Sequence, residues 1–245
     1  MLTYNTPVDD IRFLLGAFGY ERISDLDTYR DFDLDTMEMM VEESGRFYEE
    51  VVLPTNEIGD REHVQWDPET HEVTTPDAFK EAYERVAKNG YIGITTPTEY
   101  GGAGAPETLG VILTEIASAT NKSLGMFGLL STGLIRALEA NGTDEQKETY
   151  IPKLASGEWG GTMALTEPHA GTDLGLIRTK AELNDDGSYD ITGRKIWITA
   201  GEHDLTDNIV HFVLARLPDA PEGTKGISVF LVPQFLADGE RNAVE

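Results

Sequence analysis

Two short segments hold most of the residue types that could do chemistry. Met163-Ala164-Leu165-Thr166-Glu167-Pro168-His169-Ala170-Gly171-Thr172-Asp173 leads from an apolar stretch into a Thr-Glu-Pro turn and a small-residue loop; Ile196-Trp197-Ile198-Thr199-Ala200-Gly201 follows it. The first offers hydroxyls and free backbone N–H groups, which suit the polar edge of a flat heterocycle and a pyrophosphate. The second adds an indole as an apolar wall and a threonine able to hydrogen-bond ring nitrogens and carbonyl oxygens. Taken singly, each is also an ordinary feature: Trp197 can be a core side chain and Thr-Glu-Pro a plain turn.

Other candidates are poorer. Gly101-Gly102-Ala103-Gly104 lacks both the GxGxxG spacing and the lysine-serine ending of a phosphate cradle, and reads as a turn packed between helices. Glu202, His203 and Asp204 are consecutive, so on an extended segment their side chains diverge instead of converging at ~2.1 Å on a metal. With no cysteine there is no disulfide framework, thiolate ligand or thiol nucleophile.

The elements that must position these segments change period along the chain. Met37, Met40, Val41, Phe47, Tyr48, Val51 and Val52 fall on one face of a helix that Asp35 can cap, with Glu38 reaching back, and that Pro54 stops. A second helix starts at Thr75-Pro76, turns Phe79, Tyr83 and Val86 inward, and ends at Asn89-Gly90. A third follows Pro106 with Leu109, Ile112, Leu113 and Ile116 on one side. The glycine-containing stretch 124–140 reads as a buried helix, and Thr143 to Gln146 as a capping box for one more, ending near Ser156-Gly157. Beyond it 162–166, 177–183, 188–191, 195–199, 209–217 and 227–232 read as strands. Helices first and antiparallel-looking strands afterwards predict an α+β chain: an extension over 1–34, an all-α domain over 35–156 and a sheet domain over 157–245.

The 44 acidic against 19 basic residues give a formal charge of −25, which repels nucleic-acid phosphates and anionic lipid at long range. Such acidity fits a salt-rich cytoplasm and equally the solubility charge of an ordinary surface. The start MLTYNTPVDD lacks the basic and apolar regions of a secretory signal, and no stretch approaches the ~20 apolar residues that span a bilayer. The chain reads as soluble and cytoplasmic, with neither nucleic acid nor membrane as partner.

Together the two segments resemble the acyl-CoA dehydrogenase family, in which Thr-Glu-Pro-x-Ala-Gly-Ser-Asp is followed by Trp-Ile-Thr. Pro97-Thr98-Glu99-Tyr100-Gly101-Gly102 is similar to its Pro-x-Glu-Tyr-Gly-Gly loop, and Gly142-Thr143-Asp144-Glu145-Gln146-Lys147 to its Gly-Thr-x-Glu-Gln-Lys helix start. The long N-terminal part, with Gly201 to Leu205 and Lys225 to Pro233, resembles the longer subgroup that includes 3-methylthiopropionyl-CoA dehydrogenases.

The resemblance implies a partial antiparallel β-barrel or sandwich after the helices, with a C-terminal helical domain absent. It implies FAD bordered by Met163, Leu165, Thr166, Gly171 and Thr172 from the first segment and Trp197, Ile198 and Thr199 from the second, with Thr172 also touching acyl-CoA. Met163, His169 and Thr172 stand where Tyr, Gly and Ser are commoner; His169 reads as a loop residue near the cofactor, with proton transfer as the alternative. In the family a glutamate removes the α-proton of an acyl thioester while the β-hydride goes to flavin N5, giving a trans-2-enoyl-CoA. That base comes from the C-terminal domain, beyond Glu245, so no catalytic residue is assigned; Glu167 belongs to the turn motif and Glu202 to a neighbouring loop. Electron-transfer flavoprotein as acceptor, a homo-oligomer when full length, and weak FAD retention by this stretch alone are further implications. The alternatives are an acyl-CoA oxidase or flavin monooxygenase on the same scaffold, or a non-catalytic acyl-CoA or partner-binding module.

Overall fold

Helical structure begins earlier than the patterning indicates. In the computed structural model, which describes residues 2–236 and 239–244, α1 (Val8–Ala17) and α2 (Glu21–Ser24) occupy the expected extension. Ile11, Leu15 and Tyr20 are buried there in one core with Met37 and Val41. The expected domain ends at Met1 and Glu245 lie outside the described residues.

Helix α3 (Leu34–Phe47) is capped by Asp33, not Asp35: the Asp33 carboxylate accepts the Thr36 N–H at 2.8 Å. Asp33 has the extended backbone a cap needs, while Asp35 already lies in the first turn. Nor does Pro54 end the helix. A π turn (Tyr48–Val52), in which the Leu53 N–H bonds the Tyr48 carbonyl, leads directly into α4 (Leu53–Glu62), and Pro54 is the second residue of α4. A small hairpin, β1 (Gln65–Trp66) with β2 (Val73–Thr74), precedes α5 (Asp77–Lys88). Thr75 does not cap α5: its N–H and hydroxyl both donate to Asp204 Oδ1, at 2.9 and 2.7 Å. At the other end Gly90, at φ +73°, supplies the expected left-handed stop.

Helix α6 (Glu107–Asn141) breaks at Asn121 (φ −151°, ψ 97°). The break is an internal cap: the Asn121 side chain donates to Thr55 Oγ1 at 2.8 Å and accepts the Leu124 N–H at 3.1 Å. Its second half is less buried than expected, since Leu134, Ile135 and Leu138 turn inward but Leu129 and Gly133 are exposed. Helix α7 (Asp144–Ser156) carries the Thr143–Gln146 capping box and ends at Gly157, φ +77°.

Strands β3 (Trp159–Ala164), β6 (Asn208–Ala215) and β7 (Ser228–Pro233) form one sheet in the order β3-β6-β7. Strands β4 (Lys180–Leu183) and β5 (Tyr189–Thr192) form a separate antiparallel hairpin. The helices-then-sheet order holds, but one pairing is not antiparallel: β3 joins β6 in parallel, Gly161 opposite Val210, because the excursion over 165–207 brings the chain back in the same direction. The expected strand over 195–199 is absent; Trp197 (φ +61°) and Ala200 (φ +55°) are incompatible with a ladder. Strand β3 lies close on α6, where the Gly161 N–H donates to Ser131 Oγ at 3.1 Å. A Cβ on Gly161 would stand 3.0 Å from Ser131 Cα, so any larger residue would have to push the helix back by a few tenths of an ångström.

Candidate active site

The Thr-Glu-Pro turn closes on itself through Glu167 and Ala170, whose backbones exchange bonds of 2.7 and 3.1 Å. Its glutamate points inward and is 3% exposed. The Arg178 N–H donates to Oε2 at 2.7 Å; the Thr179 N–H and hydroxyl and Lys195 Nζ donate to Oε1 at 3.0, 2.6 and 2.9 Å. Burial alone raises this carboxyl, but the Thr179 hydroxyl, the Arg178 amide, Lys195 and the Thr179 amide outweigh it and hold it down at about 2.

The second segment is seated against the first. The Ile196 N–H donates to the Thr166 carbonyl at 2.9 Å, and Lys195 Nζ to the Leu165 carbonyl at 3.1 Å. Further on, Glu202, His203 and Asp204 diverge and anchor the loop in three directions. Glu202 accepts from Gln234 and Arg241 at 2.6 and 3.1 Å. His203 is buried edge-on against Phe127, with ring centroids 4.9 Å apart. Asp204 takes the Thr75 bonds and pairs with Lys80 at 2.8 Å. Behind Thr172, Arg216 donates to the carbonyls of Gly175, Ile177, Pro221 and Gly223 at 2.8, 2.9, 3.2 and 2.8 Å, tying that stretch to the loop after β6.

This framework leaves a distinctive surface uncovered. Trp197 is 87% exposed while held in a left-handed conformation that bulky residues rarely adopt. Met163, Thr172 and Thr199 are exposed; Leu165, Thr166, Gly171 and Ile198 are half-buried. The N–H groups of Gly171, Thr172 and Asp173, and of Trp197, Ile198 and Thr199, find no acceptor among the described residues. An open indole face beside unsatisfied amides and hydroxyls fits a planar heterocycle carrying phosphate. His169 is turned to the scaffold: its Nε2 contacts the Leu176 carbonyl at 3.0 Å and lies 3.6 Å from Glu167.

Lys195, Thr179 and Arg216 were not singled out by motif. The signal for Lys195 was a cation, second of the Arg194-Lys195 pair, leading directly into the apolar Ile196-Trp197-Ile198 run. Arg216 ends a long apolar strand with no acidic neighbour in sequence. The Gly101–Gly104 loop is a packed turn, its N–H groups engaged by Pro97, Thr98, Gly93 and Thr96 carbonyls.

Within the helices lies an apolar cavity of about 340 Å³, lined among others by Val52, Tyr83, Ile92, Leu113, Gly128 and Leu129. Helix α6 links it to the sheet, carrying Gly128 and Leu129 on the cavity and Ser131, bonded to β3, one step further on.

Residues 35–158 match the acyl-CoA dehydrogenase N-terminal domain, and residues 162–241 the middle domain of the same proteins. The chain belongs to the acyl-CoA dehydrogenase family. It is 45% identical to the 3-methylmercaptopropionyl-CoA dehydrogenase of Ruegeria pomeroyi over 96% of its own length and 40% of that protein. It is 37% identical to a broad-specificity linear acyl-CoA dehydrogenase of Mycobacterium tuberculosis over 100% of this chain and 41% of that one. The chain thus spans about two-fifths of the curated relatives it matches. Among solved structures, the Bacillus anthracis acyl-CoA dehydrogenase complexed with FAD aligns at a TM-score of 0.66 and 27% identity, covering 85% of this chain and 32% of that one. Butyryl-CoA dehydrogenase of Megasphaera elsdenii aligns at 0.65 and 26%, covering 80% and 48%. No helix among the described residues is long and apolar enough to cross a membrane.

Proposed function

We propose that this chain supplies the helical N-terminal part and the flavin-contacting sheet part of an FAD-dependent acyl-CoA dehydrogenase, divided near Ser156-Gly157. The reaction is α,β-dehydrogenation of an acyl-CoA thioester to a trans-2-enoyl-CoA by a cytoplasmic, homo-oligomeric enzyme that passes electrons to electron-transfer flavoprotein. The observation that carries this reading is the exposed, strained Trp197 locked beside Thr166 by the Ile196–Thr166 bond.

When bound, FAD supplies the hydride acceptor. Trp197 would offer its open indole face to the ring, with Met163 and Leu165 as apolar neighbours and the Thr166 and Thr199 hydroxyls and the Ile198 amide as hydrogen-bonding partners. The Gly171 and Thr172 amides, free among the described residues, would hold the pyrophosphate, and the exposed Thr172 hydroxyl would be available to the acyl-CoA. The apolar cavity beside α6 accepts the acyl tail, being within the size range of small-molecule pockets. Neither conspicuous carboxylate is free to take a substrate proton: both Glu167 oxygens are occupied and its basicity is suppressed, and Glu202 is held by Gln234 and Arg241.

The test is anaerobic titration of the flavin-loaded protein, expressed from the whole reading frame that contains this chain, with short, long and thioether acyl-CoAs. Bleaching of the flavin band by one class is expected. A protein that shows no flavin band even with added FAD overturns the reading in favour of a binding module.

A further inference from the structure

We propose that Lys195 and Glu167 are a positioning pair that sets the two ring-facing segments against each other; the consequence for flavin rests on the reading above. Both side chains are withdrawn from water, at 10% and 3% exposure. Lys195 Nζ reaches across from the second segment to two acceptors on the first, Glu167 Oε1 at 2.9 Å and the Leu165 carbonyl at 3.1 Å. The backbone bond from Ile196 to Thr166 at 2.9 Å lies beside it. No β-ladder joins the segments, because 195–199 is not a strand. Their register therefore depends on this one backbone bond and on the ammonium group.

Glu167 extends the clamp to a third piece of chain, since it also fixes the Arg178 and Thr179 amides at the entry to β4. A buried ion pair is a poor means of gaining stability alone, because a well-packed apolar pair of similar volume does as well or better. What the pair gives here is direction. An ammonium bonded to two oxygens tolerates little displacement, and Trp197, two residues on, is held in a backbone conformation it would not choose.

The experiment compares wild type with Lys195→Met, Glu167→Gln and the double variant. Hydrogen exchange of the bonded amides of Glu167 and Ala170 in the first segment and of Ile196 in the second, without ligand, reads the fastening directly. FAD titration and the flavin midpoint potential, on the protein from the whole reading frame, read its consequence. Each single variant should raise exchange in both segments together and weaken FAD binding by roughly tenfold or more, as small misplacements do. The double variant buries no unpaired charge and stays informative if a single variant does not fold. It should recover thermal stability but neither the FAD affinity nor the potential. Recovery of all three by the double variant would reduce the pair to charge compensation and overturn the proposal. So would exchange that rises in one segment only, or single variants with unchanged FAD affinity. If wild type binds no flavin while exchange behaves as expected, the pair still positions the segments and the flavin reading alone falls.

Discussion

Acidification to pH 4.5 should remove about 4 kcal/mol of stability through two histidines alone. His203 and His211 are 7% and 5% exposed. Burial pushes His203 down to about 4, with Asp204 partly opposing and His211 reinforcing it, and burial pushes His211 down to about 4 as well. His211 Nδ1 meets the Thr162 hydroxyl at 2.8 Å, and its Nε2 is buried without a partner among the described residues. A depressed folded-state pKa means that the unfolded chain takes up the proton first. The contribution is therefore complete above the unfolded value of 6.5 and is lost as pH falls through about 4. At 1.36 kcal/mol per unit the full effect is about 3 kcal/mol per histidine, of which about 2 is spent between pH 6.5 and 4.5. Against a typical total of about 5–15 kcal/mol, a loss of about 4 is large.

The measurement is the urea unfolding free energy at half-unit steps from pH 7 to 4.5, for wild type and for His203→Gln/His211→Gln. Above pH 5 the histidines dominate, because Glu167 contributes only as pH falls from 4.5 towards about 2, and the Glu139 carboxyl, lifted by burial, acts in the opposite sense. Wild type should lose progressively more stability than the double variant as pH falls below 6.5, because the relief of acidic self-repulsion towards the sequence pI of about 4.4 acts on both proteins alike. Equal slopes in the two proteins would refute the reasoning.

Trp197→Ala should leave the unfolding free energy within about 0.5 kcal/mol of wild type, since the indole is 87% exposed, yet weaken FAD binding in a fluorescence titration. Gly193→Ala should destabilise by about 1–3 kcal/mol in urea denaturation, because a Cβ there would stand 2.7 Å from Thr179 Cβ and displace the hydroxyl that holds Glu167. Asp204→Asn should lower the urea midpoint slightly by weakening the Lys80 pair, with faster hydrogen exchange over 201–207 as its local signature. Raising KCl from 0.1 to 1 M shortens the Debye length from about 10 to 3 Å and should raise the melting temperature by relieving self-repulsion among 44 acidic against 19 basic residues. An unchanged melting temperature would remove the case for a salt-adapted surface.

What the sequence made legible is local in origin. Helical periodicity identified Phe79 and Tyr83, and Leu109, Ile112, Leu113 and Ile116, as core because a helix face is written within a few residues. Capping at Thr143 and termination at Gly90 and Gly157 were legible for the same reason. The failures share the opposite cause. Thr75 has every local mark of a cap, but Asp204, 129 residues away, competes for its hydroxyl and wins with a charged acceptor. Ile196 and Ile198 alternate like a strand, yet the intervening Trp197 adopts a positive φ because Lys195 and Ile196 are already committed to Leu165, Glu167 and Thr166. The parallel entry of β3 likewise follows from where the excursion over 165–207 returns, which no window along it encodes. The candidate site sits where these long-range commitments meet. The residues expected at its surface came from the family resemblance, and no motif pointed to the buried Lys195–Glu167 clamp that aims them. Strand-like sequence forced out of a ladder is what leaves the indole face and its neighbouring amides open to a ligand.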